Sequence, residues 1–449
     1  MMSLLEAAAV LGGRASGADA RFDGVSSDSR ALKRGELFVA LRGERFDGHD
    51  FLAGAAARGA AGALVDGAYR GPFPLPVVIV DDTRLGLGAL ARHWRARFSP
   101  ALVAVAGSNG KTTVKEMLAA ILRQHAGEHA VLATAGNFNN DIGLPLTLLR
   151  MRREHRWCAI ELGMNHRGEI PYLAGIAAPT VAVVNNAQRE HLEFMNSVED
   201  VAAENSAVYD ALPTDGVAVV NADDAQAAFF RGRTGGRRVV DFGLGAGAVS
   251  GRYELKHLSS EIRIRTPAGQ THATLAIPGI HNVRNALAAA ACAHAAGVSM
   301  ASIGHGLSAF RPYTGRLQVQ QTEGGVTVID DSYNANPDSV RAAIDVLASC
   351  PGPTLLVLGD MGEVGDQGPE FHREVGAYAR MRGVNGLLAI GEATAHAVAA
   401  FGPGARHFAR LEELVSAIEG RTVLIKGSRF MKMERVVAAL TGTASQGGH

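Results

Sequence analysis

The chain has 449 residues, and its 44 lysines and arginines are balanced by 44 aspartates and glutamates, for a net charge of zero. At roughly 100–200 residues per domain, this length predicts two to four domains, with three as the central expectation. A neutral chain argues against a protein whose main task is to coat nucleic acid or an anionic membrane, so no nucleic-acid partner is expected.

Cysteine usage and the start of the chain predict a protein of a reducing compartment, the cytoplasm. The three cysteines, Cys158, Cys292 and Cys350, lie far apart and form no CxxC pair, so they predict neither a disulfide framework nor a zinc site. The apolar start is interrupted by Glu6 and has no basic stretch, which favours a helix over a signal peptide. No run of about 18 apolar residues occurs, so no membrane span is predicted.

The first segment alternates strands and helices. Buried strands are predicted at 36–41 and 77–80 and a helix at 50–58, and apolar residues at helical spacing follow from 87 to 98. Two polar loops flank the first strand and suit either an anionic ligand or ordinary turns: Ser27, Asp28, Ser29 and Arg30, then Asp47, Gly48 and His49.

The second segment opens with a short apolar strand at 102–106, a glycine-rich loop and a helix. Further buried strands are predicted at 157–161 and 181–185. Between 249 and 277, Ile262 and Ile264 alternate with charged residues, which predicts an antiparallel insertion with one solvated face. An alanine-rich helix is expected at 280–294.

The third segment repeats the alternation, with strands at 326–330, 355–358, 386–390 and 422–425 and a helix that Asn336 caps with Pro337 at its first position. Strands that alternate with helices predict α/β domains with parallel sheets, whose ligands lie beyond the carboxyl ends of the strands. We expect domains at 1–98, 99–312 and 313–449. The polar tail from Thr441 is predicted to be disordered.

The strongest motif is the loop after the strand at 102–106, Gly107-Ser108-Asn109-Gly110-Lys111-Thr112-Thr113. A loop that joins a strand to a helix start can bind phosphate through converging backbone N–H groups, with Lys111 on the β/γ-phosphates and Thr112 on Mg²⁺. It differs from the common GxxxxGK[ST] pattern, because Val105 stands where the first glycine would be. The alternative, a glycine-rich turn with a chance lysine, is disfavoured by this setting.

Two further groups follow neighbouring strands. Glu161 ends the strand at 157–161, and a carboxylate there can reach Mg²⁺. His191 follows the strand at 181–185 by a few residues; alone it would more often be structural. Because these three elements follow successive predicted parallel strands, we expect the loop, Glu161 and His191 to converge on one cleft.

The remaining candidates leave alternatives open. Asn282 can hydrogen-bond an adenine edge or cap a helix. Asp330 and Asp331 end a strand and suit ribose hydroxyls or a cation, or a capped loop. Lys426, one of only six lysines in the chain, precedes Gly427 and Ser428 at another strand end, where it can form a second anion site or remain solvated.

Together these motifs match a family. The blocks GSNGKTT, ELG, NNAQREHLE, PGIHNVRN, GR and DDSYNANPDS, in this order, resemble the Mur ligases of peptidoglycan synthesis. The blocks YNANPDS and KGSR, with DSRALKRGELFVALRGERFDGHDF near the start, are most similar to the branch that adds a dipeptide. The resemblance covers nearly the whole chain and implies three domains: one for a UDP-sugar, a central P-loop ATPase domain and a Rossmann-like C-terminal domain.

The resemblance also implies a reaction and its partners. ATP, with Mg²⁺, would phosphorylate the terminal carboxylate of a UDP-N-acetylmuramoyl-tripeptide. The amine of D-alanyl-D-alanine would then attack the acyl phosphate and form an amide. These partners are small molecules, and a monomer is expected. Phosphoryl transfer of this kind needs positioning and charge neutralisation more than a side-chain nucleophile.

Site residues follow from the matched motifs. Lys111, Glu161 and His191 would be catalytic, with Thr112, Glu161 and His191 at the metal. ATP would contact the phosphate loop from Gly107 to Thr113 together with Asn282, Arg316 and Asp331. The substrates would contact the two N-terminal loops described above and a further set: Asn137, Asn139, Asn140, Tyr333, Asn334, Asn336, Lys426, Ser428 and Arg429.

One departure from the family concerns a second Mg²⁺. Many members carry a carbamylated lysine on the helix after the HLE block, but fourteen residues beyond His191 this chain has Asn205. The hypothesis is that the second Mg²⁺ is held by water, Asn205 or Glu204.

The sequence disfavours three other functions. Another amide ligase of the same superfamily is disfavoured by the YNANPDS block and the N-terminal block. A regulatory or transport ATPase would need no acyl acceptor, and the flanking domains argue against it. A non-catalytic scaffold is disfavoured because the phosphate loop is intact.

Overall fold

A computed structural model describes residues 1–44, 46–419 and 422–442. They form three large sheets, each built from one stretch of sequence, and a two-stranded ribbon. None of the helices in the described ranges is long and apolar enough to cross a membrane. The disorder predicted for the tail is wrong at Thr441, which ends the last helix, and residues 443–449 lie outside the described ranges.

The N-terminal segment comprises β1 (Met2–Ser3), α1 (Leu4–Leu11), β2 (Arg14–Ser16), β3 (Arg21–Phe22), β4 (Gly24–Ser26), β5 (Glu36–Val39), α2 (Leu52–Ala57), β6 (Gly62–Asp66), β7 (Val77–Val80) and α3 (Thr83–Arg95). Its sheet has the order β2-β7-β6-β5-β4 and is parallel except for β2. The ribbon pairs β1 with β3. The predicted helix at 50–58 is shortened because a 3-10 turn occupies Gly48–Phe51.

The central segment comprises β8 (Ala101–Ala106), α4 (Lys111–Ala126), β9 (Val131–Ala133), α5 (Gly143–Leu149), β10 (Trp157–Glu161), α6 (Glu169–Ala177), β11 (Val181–Val184), α7 (Leu192–Met195), α8 (Val198–Ser206), β12 (Val217–Asn221), α9 (Ala227–Arg233), β13 (Arg238–Gly243), β14 (Val249–Leu255), β15 (Ser260–Thr266), β16 (Gly269–Leu275), α10 (Ile280–Ala295) and α11 (Met300–Ala309). The sheet order is β16-β15-β14-β13-β12-β11-β8-β10-β9. Pairing is antiparallel only along β14-β15-β16, where Ile262 and Ile264 are buried, so the predicted insertion is confirmed.

The C-terminal segment comprises β17 (Gln318–Gln321), β18 (Thr327–Asp331), α12 (Pro337–Ala348), β19 (Thr354–Gly359), α13 (Gly368–Met381), β20 (Gly386–Ile390), α14 (Thr394–Phe401), β21 (Ala405–Phe408), α15 (Leu411–Ser416), β22 (Thr422–Lys426) and α16 (Glu434–Thr441). Its order is β17-β18-β22-β19-β20-β21, parallel except for β17. Helix α12 begins as predicted, with Asn336 in a capping box with Ser339.

Strand order brings the candidate loops together. In the central sheet β8 lies between β10 and β11, and all three run parallel, so the loops after Ala106, Glu161 and Val184 leave the same edge. In the C-terminal sheet β18 pairs with β22, which places Asp331 opposite Lys426. The sequence predicts the strands, and their pairing order creates the site.

Candidate active site

The phosphate loop joins β8 to α4 in a conformation that requires glycine. Gly107 and Gly110 have φ values of 124° and 82°. A Cβ on Gly107 would lie 2.9 Å from the backbone nitrogen of Asn185, and one on Gly110 would lie 2.4 Å from Asn285 Oδ1. These positions tolerate no side chain, so the backbone is shaped for close approach of a ligand at the start of α4.

Lys111 is the first residue of α4, and its side chain is fixed by two contacts. Its Nζ donates to the carbonyl of Ser108 (2.8 Å) and pairs with Glu190 (3.1 Å). Burial would raise the pKa of Glu190, but the charge of Lys111 and hydrogen bonds from His191 and Lys111 outweigh it and hold that pKa below its usual value. The ammonium therefore has a charged partner, which an incoming phosphate can replace.

Glu161 offers a carboxylate oxygen for a cation. Its Oε1 accepts from Thr112 Oγ1 (3.2 Å) and Asn139 Nδ2 (2.7 Å). Its Oε2 is buried and has no hydrogen-bond partner among the described residues. A buried carboxylate oxygen left free beside a hydroxyl fits Mg²⁺, which proteins usually hold through one or two carboxylates plus substrate phosphates.

His191 contacts carboxylates other than Glu161, and its predicted role at the metal stays a prediction. His191, with φ 51°, places Nε2 3.4 Å from Glu190 Oε1 and Nδ1 2.6 Å from Glu363 Oε2. Burial would lower the pKa of His191, but the two carboxylates outweigh it and raise the pKa to about 9. No ion pair joins His191 to Glu161 within the described ranges. The sequence analysis assigned no role to Glu363 or to Glu190, although Glu190 lies in the quoted block NNAQREHLE.

Asn205 and Glu204, the candidates for a second Mg²⁺, both accept hydrogen bonds from backbone nitrogens. Asn205 Oδ1 accepts from the backbone nitrogen of Gly107 (2.6 Å), and its Nδ2 donates to a carbonyl of its own helix. Glu204 accepts from the backbone nitrogens of Gly168 and Ile170 at the start of α6 (3.0 and 2.8 Å). Both side chains hold backbone segments in place, and their part in binding a second Mg²⁺ stays a prediction.

A chain of amides links α10 to the phosphate loop. Asn282 Nδ2 donates to Pro278 O (2.8 Å), and its Oδ1 accepts from Asn285 Nδ2 (3.0 Å). Asn185 Nδ2 donates to Asn285 Oδ1 (2.9 Å) and to the carbonyl of Asn109 (2.7 Å). Asn282 caps no helix here, so of the two roles left open by the sequence, adenine contact remains a prediction.

The C-terminal candidates form two contact groups. Lys426 is buried and pairs with Asp331 (2.5 Å) while donating to Asn334 O (2.9 Å), so its charge already has a partner. Burial lowers the pKa of Lys426, and Asp331 opposes that effect. The guanidinium of Arg316 lies 4.1 Å from the ring centre of Tyr333.

Arg429 and Ser428 complete this side of the cleft. The Arg429 guanidinium lies 5.7 Å from the ring centre of Tyr333. Ser428 is buried, donating to Ala335 O (3.1 Å) and accepting from the Gly362 backbone nitrogen (2.7 Å). Ser428 therefore joins two loops. Arg316 and Arg429 both lie beside the Tyr333 ring, and their guanidinium groups are suited to binding an anionic ligand there.

The phosphate loop touches the C-terminal segment directly. Asn336 Nδ2 donates to Asn109 Oδ1 (2.9 Å). Close by, the Arg189 guanidinium forms hydrogen bonds to Asp338 (2.6 Å) and to Glu374 (2.6 Å) and lies 5.2 Å from the Phe371 ring centre. These contacts join the loops after β8 and β11 to helices α12 and α13.

The N-terminal candidates divide into exposed and buried groups. Asp28 binds Arg30 through two hydrogen bonds (3.0 and 2.8 Å), which lower its pKa to about 2. Ser27 and Ser29 lie in the same turn. His49, by contrast, is buried: Nδ1 contacts Asp47 (2.5 Å) and Nε2 accepts from the backbone nitrogen of Asp66 (3.1 Å).

Two of the predicted substrate contacts, His49 and Asn140, already have partners within the protein, and their role toward substrate stays a prediction. The His49 ring has both nitrogens occupied, so it supports the loop rather than offering a free contact. Asn140 accepts from the backbone nitrogens of Ile142 and Gly143 and so holds the turn before α5. Asn139 reaches Glu161, while Asn137 lies in the same loop and Gly48 begins the 3-10 turn.

A phosphate loop, a buried carboxylate and a parallel sheet define a nucleotide-binding α/β enzyme. Three family models match the chain: "Mur ligase family, catalytic domain" at 21–95, "Mur ligase middle domain" at 105–293 and "Mur ligase, glutamate ligase domain" at 315–429. The chain belongs to the Mur ligase family, whose members are ATP-dependent ligases that use Mg²⁺ in peptidoglycan synthesis.

Relatives and solved structures cover nearly its full length. The UDP-N-acetylmuramoyl-tripeptide–D-alanyl-D-alanine ligase of Escherichia coli is 41% identical over 441 residues, 96% of either chain. That of Haemophilus influenzae is 38% identical and covers 93% of either chain. A crystal structure of MurF from Acinetobacter baumannii superposes with a TM-score of 0.91 at 34% identity, covering 98% of this chain and 99% of that one. MurF from Thermotoga maritima in complex with ADP gives 0.81 at 26% identity, covering 94% and 97%.

Proposed function

We propose that this enzyme joins D-alanyl-D-alanine to UDP-N-acetylmuramoyl-tripeptide, using ATP, to form the pentapeptide precursor of peptidoglycan. The names of the relatives in Escherichia coli and Haemophilus influenzae support this substrate pair. The observation that carries the proposal is the hydrogen bond between Asn109 in the phosphate loop and Asn336 at the start of α12. It joins a loop built for phosphate to the YNANPDS block.

Each segment is assigned one task. Residues 1–98 would hold the UDP-sugar, residues 99–312 would bind ATP, and residues 313–449 would present the dipeptide. The loops at Ser27–Arg30 and Asp47–His49 support the first assignment, and the Tyr333 ring with its two arginines supports the third. We propose that the enzyme works in the cytoplasm as a monomer. The molar mass measured by light scattering tests the oligomeric state.

The chemistry proceeds in two displacements. An oxygen of the tripeptide carboxylate attacks the γ-phosphorus of ATP; the new P–O bond forms as the bond to the β-phosphate bridge breaks, and ADP leaves. The amine of the dipeptide then attacks the acyl carbon, the C–O bond to phosphate breaks, and the amine loses a proton. Lys111 and the loop N–H groups would neutralise charge on the transferring phosphoryl group.

Mg²⁺ would be held by Glu161 and Thr112 together with the phosphates of the nucleotide, and it would neutralise phosphate charge. The free Glu161 Oε2 is the observation that fits a cation here. Lys111 would exchange Glu190 for phosphate when ATP enters. Arg316 and Asp331 would complete the nucleotide contacts from the C-terminal side.

The test measures phosphate release with substrates supplied one at a time. Release should require ATP, Mg²⁺, the UDP-linked tripeptide and D-alanyl-D-alanine together, and both the diaminopimelate and the lysine tripeptide should be tried. L-alanyl-L-alanine is the matched control acceptor and should give no product. Release that does not depend on the dipeptide would refute the proposed ligase in favour of an ATPase.

A further inference from the structure

Lys115 is a fully buried lysine with a specific partner. It lies in α4, four residues after Lys111, and its side chain is 0% exposed. Its Nζ pairs with the neighbouring Glu116 and donates to the backbone carbonyl of Thr134 (2.8 Å). Burying an ammonium costs several kcal/mol before pairing is counted, and a buried ion pair is weak grounds for stability, so its position calls for another explanation.

Thr134 connects Lys115 to strand β10, which ends in Glu161. It is the first residue after β9, and it is 1% exposed. Its backbone nitrogen donates to Ala159 O (3.1 Å), while its carbonyl is the acceptor that Lys115 occupies. Its hydroxyl oxygen accepts from the backbone nitrogen of Glu161 (3.0 Å).

The same loop also holds the Glu161 side chain. Asn139, five residues after Thr134, donates to Glu161 Oε1 (2.7 Å), and the Gly163 backbone nitrogen donates to Asn139 O (2.8 Å). Glu161 is therefore fixed at its backbone by Thr134 and at its carboxylate by Asn139. The loop that does both is anchored at its start by Lys115.

We propose that Lys115 and Thr134 are positioning residues for the Mg²⁺ ligand Glu161. Helix α4 then contributes to both phosphate and Mg²⁺ binding. Lys111 at its start neutralises phosphate charge, and Lys115, one turn later, helps to position the Glu161 carboxylate. This inference rests on the proposed role of Glu161 toward Mg²⁺. The alternative is that Lys115 only closes the core beneath the loop.

The test measures how much Mg²⁺ strengthens ADP binding. A fluorescent ADP analogue is titrated into the full chain with saturating Mg²⁺ and again with EDTA, and the ratio of the two dissociation constants gives the contribution of Mg²⁺. Thr134→Val keeps the side-chain shape but removes the acceptor for Glu161. Because one net hydrogen bond is worth about 1 kcal/mol, we expect this ratio to fall about fivefold, with ADP affinity in EDTA unchanged.

Matched variants separate positioning from packing. Thr134→Ser keeps the hydroxyl and should retain the wild-type ratio. Thr147→Val removes a comparable buried hydroxyl, which donates to Gly143 O in α5, and should lower the unfolding temperature without changing the ratio. Lys115→Met should lower the ratio of dissociation constants as Thr134→Val does. If Lys115→Met does not fold, Thr134→Val and Thr134→Ser together still decide whether the contact to Glu161 affects Mg²⁺.

Two results would overturn the inference. If Thr134→Val lowers the unfolding temperature but leaves the Mg²⁺ ratio at the wild-type value, the contact is only structural. If Thr134→Ser fails to restore the ratio, the hydroxyl is not the cause. Neither outcome involves the tripeptide or dipeptide, whereas a wild-type chain that binds ADP equally with and without Mg²⁺ would refute the proposed metal site itself.

Discussion

Lys111 is the residue whose charge the proposed chemistry needs most. In the structure it is balanced by Glu190, and its Nζ is also bound to the Ser108 carbonyl. We expect Lys111→Ala to lower phosphate release by about 10²–10³-fold, the usual loss when one preorganised donor to a transition state is removed. Lys256→Ala, at an exposed lysine paired with Glu261, is the control and should retain activity. Near-wild-type turnover of Lys111→Ala would exclude its role on phosphate.

Asn205 supports the phosphate loop where other family members are expected to carry a lysine. Since its Oδ1 accepts from the Gly107 nitrogen, Asn205→Ala leaves a buried N–H without a partner, at a cost of about 1–3 kcal/mol. We expect weaker ADP binding, measured by fluorescence titration. Ser206→Ala removes a buried hydroxyl that donates to Ala203 O and should leave ADP affinity unchanged. Equal ADP affinities in both variants would contradict this account.

For single residues, the sequence predicts which side chains lie at the site better than it predicts which partners they already have. The phosphate loop and Glu161 are found together as expected. His49 and Lys426 are found already paired. Lys426 meets Asp331, 95 positions away in the chain, through the pairing of β18 with β22, whereas His49 has one near partner, Asp47, and one in β6, Asp66. A sequence pattern names a polar residue at a loop; it does not say which distant group occupies it.

Among the secondary-structure elements, helix α12 contacts the phosphate loop through the residue that caps it, Asn336. Asn336 caps the helix through Oδ1 and donates to Asn109 through Nδ2. Asn336→Asp keeps a capping oxygen and loses the donor, so we expect near-wild-type unfolding temperature with kcat/KM for the dipeptide reduced several-fold. Asn336→Ala also loses the cap and should cost about 1 kcal/mol of stability. Unchanged kcat/KM in Asn336→Asp would show that the contact with Asn109 is dispensable.

Several buried strands were predicted with their observed bounds. The strands at 77–80, 157–161 and 386–390 match their predicted bounds, because central strands of parallel sheets carry continuous apolar runs. The strands that were not predicted include β9, with only three residues, and β21 at the sheet edge, but also β6 and β12, whose five residues each are all buried. Short and edge strands are defined by their neighbours, and a single sequence does not show those.

At the scale of the whole molecule, Arg189 ties the central and C-terminal segments together. Its guanidinium binds Asp338 and Glu374, and burial is outweighed by these contacts so that its pKa is raised. We expect a double-mutant cycle of Arg189→Met and Asp338→Asn to give a coupling of about 0.5–3 kcal/mol in kcat/KM for the dipeptide. The exposed pair Arg231–Asp241 is the control cycle and should give none. Additive losses at Arg189 and Asp338 would contradict the link.

The sequence predicts three α/β units in order, but it does not predict how they meet. Apolar packing continues from Leu90 and Trp94 in α3 to Leu148 in α5, and Arg84 reaches Asp141 (2.9 Å). Contacts such as these, and the Asn109–Asn336 bond, join residues separated by dozens to hundreds of positions. They depend on complementary surfaces rather than on local patterns.

The central claim is that the tripeptide carboxylate becomes an acyl phosphate. It is tested most directly by supplying UDP-N-acetylmuramoyl-tripeptide with ¹⁸O in its terminal carboxylate, together with ATP and D-alanyl-D-alanine, and measuring the released phosphate by mass spectrometry. The account predicts one labelled oxygen in each phosphate, because the carboxylate oxygen stays on phosphorus when the C–O bond breaks. Unlabelled phosphate would mean that water attacks ATP, and it would contradict the proposed ligase mechanism.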